Sequence, residues 1–147
     1  MNSFQLKIIA CILMAIDHVG AIMFPDIDLY RIIGRLSFPI FAFLLTEGYI
    51  HTKNLKKYFI RLFIFAIIPQ IPYSLAFGID ILNIFFTLFF GMLAILVDDK
   101  INNVYKKWGL ILGIVAISEV LHMDYGYYGI IMIFLFKKYK DNWKNLV

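Results

Sequence analysis

The strongest constraint on this chain is its alternation of long apolar runs with short polar breaks. The runs cover residues 4–24, 29–50, 58–77, 81–97, 108–122 and 125–139, and the breaks read PDID, HTKNLKK, GID, DDKINNVYKK and HMDYG. A hydrocarbon core about 30 Å thick takes roughly 20 apolar residues as a helix. Lipid offers the backbone no hydrogen bonds, so a spanning element must supply its own. Across 147 residues 62% are hydrophobic and 18% aromatic, against about 45–50% apolar in soluble domains. A chain this short leaves too much surface outside its core to hide that excess from water. The expectation is an all-α membrane protein: one transmembrane helical domain over residues 1–147, a polytopic bundle of about six helices. Short connections make each helix antiparallel to the one before.

The charges sort with the breaks. Lys53, Lys56, Lys57, Lys100, Lys106, Lys107, Lys137, Lys138, Lys140 and Lys144 lie in the second and fourth connections and the tail. Asp26, Asp28, Asp80 and Asp124 lie in the first, third and fifth, with Arg31 as their one cation. The positive-inside rule places both termini and the basic connections in the cytoplasm, in a multi-pass protein of the cell (cytoplasmic) membrane. The net charge of +4 is thus a topogenic signal, and no nucleic-acid partner is expected. HTKNLKKYFIR has two further readings, attraction to anionic lipid or a grip on a phosphorylated cytoplasmic ligand.

The first run carries no small-residue cleavage site and is read as a retained span. Cys11, the one cysteine, excludes an intramolecular disulfide and a cysteine-clustered metal site, and is expected to be a small buried hydrophobe. The last run would rise only about 22 Å as a helix. It must borrow residues, sit in thinned membrane or pack as an incomplete element, with Tyr125, Tyr127, Tyr128, Tyr139 and Trp143 suited to interfacial anchoring.

Polar groups inside the runs carry the chemistry. Asp17 and His18 stand side by side in ACILMAIDHVGAIMF. A charge at the bilayer midplane costs about 2.5–3.5 kcal/mol even on insertion scales, so such residues raise a functional hypothesis. Adjacent helical positions differ by about 100°, so the two do not share a face. Arg35, permanently charged, needs an anion: Asp17, Asp124 or a substrate group. Arg31, one turn earlier, is expected to snorkel to the interface. Pro39 should kink the helix near Arg35. Glu47 and Arg61 flank a helical hairpin and are expected to pair. Pro69 and Pro72 should break the third span, with Gln70 satisfying freed backbone groups. Asn83 and Thr87, at i and i+4 on one face, serve either as cavity lining or as interhelical glue. Glu119, His122 and Asp124 gather at the end of the fifth run. A histidine beside a carboxylate suits a general base; no metal spacing, phosphate loop or serine-nucleophile motif is present.

LKIIACILMAIDHVG, RIIGRLSFPIFAFLLTEGYIHTKNLKKYFIRLFIFAIIPQIPYSLAF, LNIFFTLFFGML and DYGYYGIIMI together resemble the TraX family of integral-membrane acetyltransferases, named for an acetylase of conjugative pilin. The resemblance implies an acetyl group drawn from cytoplasmic acetyl-CoA, with no metal, and passed to an amine or hydroxyl of a peptide, pilin or small molecule. It implicates His18 as catalytic base, with Asp17 supporting it and Arg35 on an anionic group or oxyanion. Lys53, Lys56, Lys57 and Arg61 become counter-charges for the CoA phosphates. Glu47, Asn83, Thr87, Glu119, Asp124 and Tyr125 are the candidate substrate-binding residues. Chains of this family generally run longer, so a minimal member, a shortened copy and a bundle completed by homo-oligomerisation are all open. Two other classes compete: a small proton-linked transporter with Asp17, His18 and Arg35 as relay, and a non-catalytic membrane scaffold.

Overall fold

The computed structural model describes residues 2–78 and 80–144, the side chains of 141–144 excepted. Among the described residues the chain is helical, with no strand beyond one isolated parallel bridge, Leu82 to Met123. The helices are α1 (Ser3–Met23), α2 (Asp28–Gly34), α3 (Ser37–His51), α4 (Leu55–Ile67), α5 (Gln70–Phe77), α6 (Ile84–Lys100), α7 (Val104–Val120) and α8 (Gly126–Lys144). Asparagine starts four of them. Asn2, Asn54, Asn83 and Asn103 each offer a side-chain oxygen to a backbone N–H of the first turn of α1, α4, α6 and α7. An asparagine cap satisfies one of the donors that a helix start leaves orphaned. Gln5 completes a capping box with Asn2.

All six expected runs are helical, and two are interrupted where proline predicts. The run at 29–50 breaks at Arg35–Leu36, between α2 and α3. Pro39 has no N–H for the Arg35 carbonyl, which instead accepts from Phe38 N at 3.3 Å. The run at 58–77 breaks between α4 and α5, where Pro69 and Pro72 sit. Three segments, Ser3–Met23, Asp28–His51 and Leu55–Phe77, are both long and apolar enough to cross a membrane. Their surfaces remain apolar: Ile12, Ile32, Phe65, Ile71 and Leu75 are all exposed, Leu75 at 86%. Side chains of this kind belong in lipid, and the chain is a helical membrane protein.

The later helices are displaced from their expected bounds. The connection read as DDKINNVYKK shrinks to residues 101–103, because α6 runs on through Asp98 and Asp99 to Lys100 and α7 starts at Val104 behind its Asn103 cap. Lys107 and Asp98 pair across this short turn at 2.9 Å. The last run borrows residues at its C-terminal end: α8 has 19 residues and rises about 28 Å. Anchoring by Trp143 lies outside the described side chains.

The chain divides into two compact units, Met1–Leu44 and Leu45–Val147, the division falling within α3. In the first, α1 packs against α2 with almost no space between backbones. A Cβ on Gly34 would lie 2.2 Å from Cβ of Asp17, and one on Gly20 would lie 2.3 Å from Cβ of Tyr30. Only glycine permits that approach. In the second, α6 is the central helix and touches α4, α7 and α8. Its Leu88, Met92 and Ile95 are buried, as are Ile130 and Ile133 of α8. Cys11 is exposed on α1 rather than buried, because α1 covers little of itself: its buried residues are Ala10 and Gly20.

Candidate functional site

In the first unit, the α1–α2 crossing sets the geometry around the Asp17–His18 pair. Arg31 Nη1 donates to Asp17 Oδ2 at 3.3 Å. Arg31 was expected to snorkel; the structure adds a carboxylate partner, with the side chain still 36% exposed. The other oxygen, Asp17 Oδ1, is buried with no hydrogen-bond partner among the described residues. His18, the next residue round the helix, is half-buried. Arg35 is exposed and caps α2, its N–H bonded to the Arg31 carbonyl at 3.0 Å. The helix break places Arg35 at the junction of α2 and α3.

In the second unit, the basic residues stand at the start of α4. Lys53, Lys56, Lys57 and Arg61 are all exposed, and none of the four makes an ion pair among the described residues. Asn54 caps this helix through Lys57 N at 3.0 Å. Four cations at a helix start, with the positive end of the dipole, leave a strongly anion-attracting surface. Glu47 does not pair with Arg61 as expected. Its carboxylate meets Lys140 and lies 3.6 Å from His51 Nδ1, since α8 brings a closer cation than the hairpin does.

Asn83 and Thr87 act as glue. Asn83, 2% exposed, donates from Nδ2 to the Ala66 carbonyl at 2.8 Å and to Gln70 Oε1 at 2.9 Å. Its own N–H donates to Gln70 Oε1 at 2.9 Å, and Gln70 Nε2 donates to Ser74 Oγ and to the Ile81 carbonyl. The role expected of Gln70 is divided: Asn83 takes up the Ala66 carbonyl beside the proline break, while Gln70 serves backbone groups of the segment ahead of α6. The buried Thr87 hydroxyl donates to the Asp124 carbonyl. Asp124 Oδ2 accepts from the Tyr73 hydroxyl at 3.5 Å. Glu119 Oε1 accepts from Tyr127 N at 2.8 Å, covering the start of α8, where Tyr125 and Gly126 both take positive φ. Within this unit Asn83, Thr87 and Asp124 are therefore linked around one pair of turns, whereas Glu47 belongs to a different cluster.

That other cluster escaped the sequence reading. Lys137 Nζ donates to Asp99 Oδ1 at 2.6 Å and the Tyr49 hydroxyl donates to Asp99 Oδ2 at 2.9 Å. With Lys140 and Glu47, it ties α3, α6 and α8 by charge. One signal was available: two aspartates in the last turn of a helix face the negative end of its dipole and need a cation. Among the described residues no three of His, Cys, Asp and Glu are gathered to hold a metal ion.

Comparison with known proteins gives a family. The family model described as TraX protein matches residues 3–147. A probable fimbrial assembly protein FimC, serogroup H1, of Dichelobacter nodosus is 33% identical over 155 residues, 94% of this chain and 62% of that protein. An uncharacterized protein of Rickettsia prowazekii (strain Madrid E) is 38% identical over 72 residues, 49% of this chain and 27% of that protein. The chain thus spans less than two thirds of either relative. No solved structure matches. With its model covering nearly the whole sequence, the chain belongs to the TraX family.

Proposed function

We propose that this protein is a membrane-embedded acetyltransferase that moves an acetyl group from cytoplasmic acetyl-CoA to an amine or hydroxyl acceptor. The name of the Dichelobacter relative favours a pilin or fimbrial peptide as acceptor, through its N-terminal amine. The observation that carries the reading is the α1–α2 crossing. Two glycines bring the helices into backbone contact, and the contact holds an ionisable Asp17, beside His18, against Arg31. Membrane helices do not retain such a group cheaply.

The chemistry assigned to these residues is acyl transfer. The neutral acceptor nitrogen attacks the thioester carbonyl, the new C–N bond forms, and the C–S bond breaks with CoA leaving as thiolate. His18 takes the proton from the attacking nitrogen and returns it to the thiolate, so protons balance over the cycle. The Asp17 carboxylate supports the imidazolium electrostatically without a hydrogen bond to it, and Arg35 offsets the negative charge that builds on the carbonyl oxygen. Lys53, Lys56, Lys57 and Arg61 neutralise the CoA phosphates. Glu119, Asp124 and Tyr125 are kept for the acceptor, while Asn83 and Thr87 support the turns around it; Glu47, paired with Lys140 in the other cluster, is left out. The topology assigned with this mechanism has six crossings of the cytoplasmic membrane and both termini inside.

The test is incubation of the full chain, reconstituted in bilayers, with labelled acetyl-CoA and a membrane extract, followed by mass spectrometry of whatever gains the label. A positioned general base contributes about 10²–10⁴ in rate. His18→Ala should lose most of that while inserting normally. Undiminished transfer by the variant removes His18 from the mechanism, and no transfer by the wild-type chain removes the acetyltransferase.

A further inference from the structure

A second feature lies wholly within the Leu45–Val147 unit, beside the residues kept for the acceptor, and its lining includes none of the residues given a role in that mechanism. The segment ahead of α6 and the turn after α7 enclose an open cleft of about 490 Å³, lined by Asp80, Ile81, Leu82, Val120, Leu121 and His122. Small-molecule sites run from about 300 to 1,000 Å³, so the space suits a compact organic group rather than a single ion. Its two walls are fixed to one another. Leu82 N donates to the His122 carbonyl at 3.2 Å, and Asp124 N donates to the Leu82 carbonyl at 2.9 Å.

The lining has a definite chemistry. Four of its six residues are apolar, one is a carboxylate and one an imidazole; none is a lysine or arginine. Among the described residues Asp80 makes no ion pair and the His122 imidazole makes no hydrogen bond. His122 also holds φ at 46°, a left-handed conformation that is strained for a residue with a Cβ. Helix ends that need this conformation usually take Gly or Asn. Here a histidine stands at the position and lines the cleft.

We infer that this cleft binds a primary ammonium group carried on an apolar stem. The Asp80 carboxylate pairs with the ammonium, the His122 imidazole accepts one of its N–H bonds, and Ile81, Leu82, Val120 and Leu121 pack the stem. A free or peptide-borne alkylamine and an aminophospholipid head group share this chemistry.

The probe is hexylamine, with hexanol as its uncharged counterpart, titrated into the full chain in phosphatidylcholine nanodiscs while the His122 imidazole resonances are followed by NMR. Three histidines are present, and His122→Gln assigns the signal. Hexylamine should shift the His122 resonances saturably. Asp80→Asn, a change on an exposed loop residue, should weaken binding about tenfold, the scale of one charge-assisted hydrogen bond, with the melting temperature unchanged. Repeating the titration with phosphatidylethanolamine in the disc separates the sources: a weakened hexylamine response assigns the cleft to the lipid head group, and an unaltered one to a soluble amine. Equal binding of hexylamine and hexanol, or an Asp80→Asn titration that matches wild type, overturns the inference. The readout involves no acetyl transfer, so its failure and that of the proposed enzyme are separate results.

Discussion

Two carboxylates in apolar helices, Asp17 of α1 and Asp99 of α6, are each paired with a cation, but to different degrees. Asp99 has both oxygens engaged, Oδ1 by Lys137 at 2.6 Å and Oδ2 by Tyr49 at 2.9 Å. Asp17 has one oxygen at 3.3 Å from Arg31 and the other buried without a partner among the described residues. A fully satisfied polar cluster fixes helices against each other. A buried oxygen left without a donor costs about 1–3 kcal/mol and calls for an explanation other than packing. The contrast teaches that a charge paired between apolar helices is not by itself a functional residue; the completeness of its hydrogen bonding separates the two uses.

The largest expected effect comes from breaking the satisfied cluster from its carboxylate side. Lys137 is only 8% exposed, whereas the Asp99 side chain is 35% exposed. Asp99→Ala therefore takes the carboxylate from a buried ammonium and should cost about 3 kcal/mol, the lower end for breaking a buried pair. Lys137→Met leaves an aspartate that can turn to water and should cost less than half of that. Thermal unfolding of both variants in one detergent checks the order. Equal losses would mean that the burial asymmetry does not govern the pair.

The fold was more legible than these pairings. Six apolar runs with prolines in two of them give six helical stretches and both breaks, because periodic apolarity and a missing N–H act locally. The asparagine caps were equally local, and they account for the shifted bounds: Asn103 starts α7 inside what reads as a polar loop. The partners of Asp17, Glu47 and Asp99 were not legible. Each depends on which helix lies alongside, and sequence spacing gives the face of a helix without its neighbour. Arg31, one turn from the membrane edge by sequence, reaches Asp17 because Gly34 admits the backbone of α1. Gln70 was expected to serve its own broken segment, yet its backbone partners are Ile81 and Asn83 ahead of α6, again a matter of which segment lies alongside.

Next in size is the crossing itself. A methyl group at Gly34 would meet Cβ, Cα and N of Asp17 at 2.2, 2.5 and 2.7 Å. Two of those three atoms are backbone, so the helices must separate. Gly34→Ala should destabilise the chain by about 1–3 kcal/mol, the usual range for overpacking, and should also lower acetyl transfer by shifting Asp17 away from Arg31. Gly113→Ala is the control, since a Cβ there meets nothing within 4 Å. Unfolding midpoints that match for the two variants would show that the close approach carries no weight.

The smallest stability effect, and the sharpest test of the contrast, belongs to Asp17→Asn. The amide keeps an oxygen for Arg31, and Arg31, with a side chain 36% exposed, can reach water at small cost. A loss of under about 1 kcal/mol is expected, within the range of exposed ion pairs. Turnover should behave the other way: an amide cannot support an imidazolium as a carboxylate does, and acetyl transfer should fall by at least about tenfold. Asp99→Asn should invert both results, with a clear drop in unfolding midpoint and near-normal transfer per folded molecule. If both asparagine variants lose stability alike and neither loses turnover, then the buried Oδ1 of Asp17 is a packing defect of the α1–α2 contact and the catalytic role passes from it.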